Sequence, residues 1–161
     1  MAAFPAGVTI VTATTGSGDP HGMTCSSVSS VSLLPPVLLV CLNRRSRTLP
    51  ALLATSKFAV NFLHSQAREA ARLFSTPVPD RFEQVRWELS TSHAGPHLLD
   101  EAHTVADCRV VETTSIGDHT VVFGEVFDIH RVTSDPPDPL LYGLRDYWSL
   151  HPSRNGAAPP A

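Results

Sequence analysis

Small hydroxyl side chains and a cluster of arginines flank one very apolar run in the first third of the chain. The stretch at residues 22–43 reads GMTCSSVSSVSLLPPVLLVCLN, and it holds Thr24 and five serines ahead of its apolar part. A hydroxyl group can donate and accept a hydrogen bond with little bulk, which suits a polar ligand that lies close against backbone. Arg44, Arg45 and Arg47 follow at once and form the densest positive charge in the sequence. Together these residues suit a flat ligand with a phosphate tail.

The same residues also have ordinary structural interpretations. The serines can belong to the edge of a strand and bond their own backbone. Thr48 is a plausible helix N-cap beside Pro50, and the arginines before it can simply be solvated. A helix N-terminus next to Arg47 would equally form an anion site. The residues alone leave these alternatives open.

Other chemical motifs are weak. His93, His97 and His103 lie close in sequence, but Gly95-Pro96 interrupts them and no HExxH pattern is present. We therefore predict unconnected loop histidines and no metal site. The glycines from Gly16 to Gly22 do not have dinucleotide-fingerprint spacing, and no serine lies in a nucleophile elbow.

Composition limits the classes of protein that the chain can represent. The chain has 161 residues and a formal net charge of -3, which argues against a general nucleic-acid binder. Cys25, Cys41 and Cys108 are far apart and odd in number, which predicts reduced, buried thiols. No apolar run approaches the ~18 residues of a membrane span. With no secretion signal recognised, we expect a cytoplasmic protein without membrane or nucleic-acid partners.

Hydrophobic patterning predicts mostly strands. β-Branched and alternating runs predict strands, and amphipathic runs predict two short helices. The predicted strands cover 8–14, 21–26, 37–42, 58–63, 102–114 and 119–129, with short closing pieces at 140–142 and 146–148. The helices are predicted over 48–56 and 66–74, with an irregular region from residue 80 and a loop at 136–139. The apolar run at 37–42 is typical of a strand buried on both faces.

Hairpin connections dominate this order of elements. No strand-helix-strand alternation runs the length of the chain, so a doubly wound sheet is disfavoured. We predict a mainly β fold, a closed antiparallel barrel with short helical insertions. One domain is expected over residues 1–150, followed by a disordered tail at 151–161.

Several stretches in this order resemble the flavin reductase-like family, whose fold is the FMN-binding split barrel. The stretches are FPAGVTIVTA at 4–13, the serine segment at 22–43, RTL at 47–49, FAVNFL at 58–63, DRF at 80–82 and GDHTVVFGEV at 117–126. The resemblance implies an antiparallel split β-barrel, a homodimer, FMN or FAD as the flavin, and NADH or NADPH as the hydride donor. It also implies a possible flavin-dependent monooxygenase as partner.

The resemblance assigns roles to particular residues. The flavin would lie against Met23, Thr24, Cys25, Ser26, Ser27 and Val28, and against the strand end Cys41, Leu42 and Asn43. Arg47 and Thr48 match phosphate contacts, and His119 matches the histidine expected on the nicotinamide side. Phe74 can approach the flavin or belong to the core, and Arg145 and Tyr147 match loosely a segment near the nicotinamide nucleotide.

The leading hypothesis is hydride transfer from a nicotinamide to flavin at a dimer interface, where the protein orients the reactants. Two alternatives remain. The protein could hold flavin tightly and oxidise or oxygenate an organic substrate, or it could be a non-enzymatic flavin-binding dimer.

Overall fold

The fold is mainly antiparallel β, as predicted. The computed structural model describes residues 3–132 and 137–150, so the predicted tail at 151–161 and part of the predicted loop at 136–139 lie outside the described residues. The strands are β1 (Ala6–Gly7), β2 (Thr9–Thr14), β3 (Pro20–Cys25), β4 (Val28–Leu33), β5 (Pro36–Asn43), β6 (Lys57–Leu63), β7 (Trp87–Leu89), β8 (Pro96–Leu98), β9 (Ala102–Ile116), β10 (His119–Arg131), β11 (Leu140–Gly143) and β12 (Asp146–Ser149). The helices are α1 (Thr48–Thr55) and α2 (Arg68–Ser75), and a 3₁₀ turn covers Arg81–Gln84. Among the described residues, no helix has the length and apolar character of a membrane span.

Seven strands form one antiparallel sheet in the order β3-β2-β6-β9-β10-β5-β4. Its two edges, β3 and β4, are consecutive in the chain and are joined only by Ser26 and Ser27. Three peptide steps span at most ~11 Å. The sheet must therefore curl until its two edge strands approach each other at this corner, where the backbone N–H of Cys41 in β5 also donates to the carbonyl of Ser27 at 3.1 Å.

The interior of the sheet holds the main hydrophobic core. Strand β2 is buried along its whole length, and the largest fully buried side chains include Phe58, Leu42 and Val60. Gly124 on β10 leaves room for the Phe58 ring, which an added Cβ would clash with. Strand β5 alternates between buried and half-buried residues. The prediction that residues 37–42 are buried on both faces is therefore wrong, because only Leu38, Val40 and Leu42 point into the core.

A short hairpin of β7 and β8 occupies the region predicted to be irregular, and that prediction is wrong in part. The hairpin is held by Asn61, whose side chain is fully buried. Its Oδ1 accepts from the Leu98 backbone N–H at 2.8 Å, and its Nδ2 donates to the carbonyls of Ile10 and Pro96 at 3.1 and 3.2 Å. One amide thus fastens the hairpin to the main sheet.

Both helices form where the amphipathic patterns predict them, but the predicted cap of the first is wrong. Helix α1 begins at Thr48 with Arg47 at the N-cap position. The Ser46 Oγ accepts from the backbone N–H of Leu49 at 3.2 Å. Ser46, and not Thr48, therefore supplies the side-chain hydrogen bond at the start of this helix. Helix α2 packs Ala71 and Phe74 into a second core cluster with Val8, Ile10 and Leu140.

Candidate functional site

The hydroxyl groups of Ser26 and Ser27 face solvent at the corner where the two sheet edges meet. Both serines are exposed, and they lie between the last residue of β3 and the first residue of β4. Extended backbone and small polar side chains are therefore open to a ligand at this corner. The flavin contact assigned to these serines in the sequence analysis stays a prediction.

The neighbouring predicted residues offer less side chain to a ligand. Thr24 uses its hydroxyl to donate to the Ala71 carbonyl at 2.6 Å, which ties β3 to α2. Met23 packs against the main core, and Cys25 and Leu42 are buried within it. These residues can contact a ligand mainly through their backbone atoms. Their side chains position the backbone of the corner.

Asn43 and His119 stand directly opposite each other on β5 and β10. The Asn43 Oδ1 accepts from the Arg45 backbone N–H at 2.8 Å, and the Arg44 N–H donates to the Asp118 carbonyl at 2.9 Å. These bonds hold the arginine segment against the β9–β10 turn. The predicted phosphate residues and the predicted nicotinamide residue therefore lie on adjoining segments.

The imidazole of His119 is partly exposed and has a fixed orientation. Its Nδ1 lies 2.8 Å from Asp118 Oδ1, and this hydrogen bond lowers the pKa of Asp118, with the charge of His119 adding to the effect. An ionised carboxylate can only accept, so Nδ1 carries the proton. Nε2 is then left for a ligand.

A cluster of basic side chains, the basic corner, lies near the beginning of β3 and includes two residues, His21 and Arg81, to which the sequence analysis assigned no role. Burial and then the charge of Arg47 lower the pKa of His21, with Arg81 adding and Asp19 opposing. Burial and the charge of Arg47 also lower the pKa of Arg81. The side chains of His21, Arg47 and Arg81, which come from separate segments, are therefore close enough to interact electrostatically. In the sequence, Arg81 is marked only by the DRF stretch at 80–82, and the aromatic ring that positions it, Phe74, lies seven residues earlier.

Phe74 packs against β3 inside the protein and is not open to solvent. Its side chain is 1% exposed, and it packs edge-on against Phe82 with ring centroids 5.1 Å apart. A Cβ at Gly22 would lie 3.0 Å from the Phe74 ring, so β3 rests directly on it. Arg81 stacks over the same ring at 5.6 Å and donates to the Gly22 carbonyl at 3.0 Å. Phe74 is therefore a core aromatic, which is one of the two predicted alternatives, and its predicted flavin contact stays a prediction.

Arg145 and Tyr147 lie on the separate three-stranded sheet β1-β11-β12. Arg145 is exposed in the β11–β12 turn with a φ of 64°. Tyr147 lies under the guanidinium groups of Arg68 and Arg72, each 5.7 Å from its ring centroid, and its carbonyl accepts from Arg68 at 2.9 Å. Tyr147 thus packs on α2, and its predicted role near a nicotinamide stays a prediction.

The cysteines are free thiols, as predicted. Burial raises the pKa of Cys25 to about 11, so its thiolate is scarce at neutral pH. Cys108 is fully buried, and burial raises its pKa as well. A redox role for these two residues is disfavoured, because the thiolate is the reactive form.

Exposed hydroxyls, open backbone and basic side chains thus lie on segments around the meeting edges of a curled antiparallel sheet. The family model for the flavin reductase like domain matches residues 1–151. The chain belongs to this family.

Individual relatives agree with that assignment. A flavin reductase (NADPH) of Lentzea aerocolonigenes is 50% identical over 147 residues, covering 91% of this chain and 84% of the relative. The reductase subunit HsaB of a flavin-dependent monooxygenase of Mycobacterium tuberculosis is 32% identical over 155 residues, covering 96% and 81%. The crystal structure of the Streptomyces globisporus NADH:FAD oxidoreductase SgcE6, in complex with NAD and FAD fragments, superposes with a TM-score of 0.85 at 31% identity, covering 96% of this chain and 90% of that one.

Proposed function

We propose that this protein is an NAD(P)H:flavin oxidoreductase that reduces FMN or FAD and supplies reduced flavin to a partner monooxygenase. The 50% identity to a flavin reductase over nine-tenths of the chain carries the proposal. The geometry agrees with it, because an exposed serine pair, a basic corner and an oriented histidine lie on adjoining segments.

The finer fold that we propose is the split barrel, formed as one domain over residues 1–150. The two-residue connection between the edge strands β3 and β4 supports it, since a flat seven-stranded sheet would place those edges far apart. Neighbouring strands are ~4.8 Å apart, so seven flat strands would span about 29 Å. The corner where the edges meet is then the split in the barrel, and Ser26 and Ser27 lie at it.

The donor set fits a flavin mononucleotide unit. Serine hydroxyls and open backbone can match both the carbonyl and the N–H edges of an isoalloxazine. Arg47 and Arg81 can pair with a phosphate, and the N-terminus of α1 adds backbone N–H groups of the right polarity. Thr48 is 2% exposed, so we assign its predicted phosphate contact to backbone.

The reaction needs orientation more than acid or base catalysis. The bound flavin supplies an electron-accepting ring that takes a hydride from the reduced nicotinamide. His119 presents Nε2 beside the corner and can accept a hydrogen bond from the amide group of a nicotinamide carboxamide. Asp118 keeps the imidazole in the tautomer that this contact requires. The protein thereby contributes alignment of two rings, which accounts for much of the acceleration of such a reaction.

Anaerobic rapid mixing tests the proposed activity. We expect the visible absorbance of oxidised FMN or FAD to bleach on mixing with protein and NADH or NADPH, far faster than without protein. The four flavin and nicotinamide combinations give the preferences. Bleaching no faster than the protein-free rate with every combination would remove the reductase proposal. Slow bleaching combined with substrate-dependent oxygen uptake would favour the alternative of direct oxidation of an organic substrate.

We propose a homodimer, because exposed leucines lie beside an apolar cleft. The cleft has a volume of about 410 Å³ and is lined mainly by β4, β5 and the ends of β6, β9 and β10. At its rim Leu33 is 83% exposed, and Leu34 beside it is 93% exposed. Clustered exposed apolar residues mark interaction surfaces. A second copy of the chain is the occupant that we propose, because the resemblance to the flavin reductase-like family implies a homodimer.

Light scattering tests the dimer. The chain mass is 17.3 kDa, so a homodimer has twice that mass, about 35 kDa. We expect a dimer for the unmodified protein and a shift toward monomer for Leu34→Asp. The control is Leu53→Asp, at an exposed leucine on α1. A monomeric unmodified protein, or equal effects of both substitutions, would contradict this assembly.

A further inference from the structure

A second cluster of polar side chains lies at the other end of β10, remote from the proposed flavin corner. It consists of His97 on β8, Asp107 on β9, and His130 and Asp128 on β10. His130 lies eleven positions along β10 from His119, which is about 35 Å of extended strand. Flavin reduction as proposed above uses none of these residues.

The donor atoms of the cluster converge on one point. His97 Nε2 lies 2.7 Å from Asp107 Oδ1, and His130 Nε2 lies 3.4 Å from Asp107 Oδ2. One ligand atom from each of these three residues lies within 4.8 Å of the others. His130 Nε2 is also 3.3 Å from Asp128 Oδ2. In a tetrahedral zinc site two ligand atoms are ~3.3 Å apart, so a small outward shift of His97 would open the space that an ion needs.

One atom of the cluster has no hydrogen-bond partner within residues 3–132 and 137–150. His130 Nε2 is shielded from solvent but makes no hydrogen bond to this part of the chain, although it lies between two carboxylates. Asp107 is fully buried and His97 is 5% exposed. The carboxylates of Asp107 and Asp128 place negative charge beside these imidazoles. A divalent cation would neutralise that charge and provide the missing partner for His130.

The surroundings hold the carboxylate in place. Ser92 Oγ donates to Asp107 Oδ2 at 2.6 Å, and Ser90 Oγ lies 2.8 Å from Ser92 Oγ. Such outer hydrogen bonds orient the carboxylate ligands of metal sites. The expectation that His97 is an unconnected loop histidine is wrong, because it lies on a strand and bonds Asp107. His93 and His103 do not belong to the cluster.

We propose that His97, Asp107 and His130 bind a first-row transition-metal ion of the zinc class and that Asp128 supplies the fourth ligand. Imidazole nitrogen selects such ions over magnesium and calcium. The ion would fasten the β7–β8 hairpin to β9 and β10, a structural role separate from flavin chemistry.

Titration of chelator-treated full-length protein with Zn²⁺ tests the site. We expect one ion per chain at micromolar affinity or tighter, at least about tenfold weaker binding by His130→Ala, and a rise in melting temperature with Zn²⁺ that this variant loses. His103→Ala is the matched control, since His103 is a half-buried histidine on the same strand as Asp107. Co²⁺ should give the visible absorbance of a four-coordinate ion.

The outcomes separate this proposal from the reductase proposal. His130→Ala should retain flavin reduction, because His130 lies far from the corner. Failure of the unmodified protein to bind Zn²⁺, or equal affinity in His130→Ala, overturns the metal site whatever the reductase activity. Weakening by His103→Ala to the same degree as by His130→Ala would also overturn it, because the ion would then lie elsewhere.

Discussion

Replacing Arg47 and Arg81 together with glutamine is expected to weaken FMN binding by about 100-fold or more, and to leave riboflavin binding within about threefold of the unmodified protein. A hydrogen bond to a charged group contributes about 1.5–3 kcal/mol, which is a factor of about 10–150 for each arginine. Riboflavin has the same ring and ribityl chain but no phosphate. The ratio of the two dissociation constants therefore isolates the contribution of the basic corner, and fluorescence titration of each flavin measures it.

The structure brings the charges of Arg47 and Arg81 close to the same region, where both can contact one phosphate. Each lowers the pKa of His21, and Arg47 lowers the pKa of Arg81, so their charges converge although they lie 34 positions apart in the chain. Arg81 is held by the Gly22 carbonyl and by the Phe74 ring. A positioned guanidinium loses little freedom on binding, which favours a strong phosphate contact.

Arg131→Gln is the matched control for this prediction. Arg131 is exposed at the far end of β10, so its replacement removes one equal charge without touching the corner. We expect its ratio of FMN to riboflavin affinity to be unchanged. Because Arg81 also supports β3, the melting temperature of each variant must be compared. A double variant that loses riboflavin binding as strongly as FMN binding would contradict a phosphate role and indicate that the corner has collapsed.

The sequence predicts the long elements well because their patterns depend on neighbours in the chain. The β-branched run of β2, the alternation of β10 and the amphipathic face of α2 each follow from local periodicity. The β7–β8 hairpin could not be predicted in this way. Its strands have three residues each, and Pro96 argues against a strand. Asn61, which holds this hairpin, lies on β6, far away in sequence.

The candidate site, like the fold, could be predicted from the sequence only where its residues are neighbours in the chain. The serine connection and Arg47 stand out by type and spacing, and His119 follows a recognisable turn. Arg81 and His21 can be recognised as site residues only in the folded chain, where β3 and the 3₁₀ turn at Arg81–Gln84 come together. The cluster of His97 and His130 is of the same kind, because residues 33 positions apart are joined through Asp107. Sequence spacing among the histidines therefore predicted unconnected side chains and did not include His130.

Asn61→Ala is expected to lower the free energy of unfolding by about 3 kcal/mol, the largest stability effect that we predict for one side chain. The substitution leaves the Leu98 N–H and the Ile10 carbonyl without this partner in a fully buried setting, and it also opens a small cavity. For a domain of this size the loss corresponds to about 8 °C in melting temperature. Thermal and urea unfolding of the purified variant measure both quantities.

The same replacement at Gln66 provides the control, because Gln66 is an exposed amide residue whose backbone N–H, and not its side chain, donates to His64 Nδ1. We expect Gln66→Ala to change stability by less than about 0.5 kcal/mol. Asn61→Asp adds a second comparison, since a carboxylate can still accept from Leu98 but can no longer donate to Ile10 and Pro96. It should destabilise the protein as well, because it places a charge among carbonyl oxygens. If Asn61→Ala unfolded at the same temperature as Gln66→Ala, the hairpin would owe its position to its other contacts, such as the His97–Asp107 hydrogen bond and apolar packing, and not to this amide.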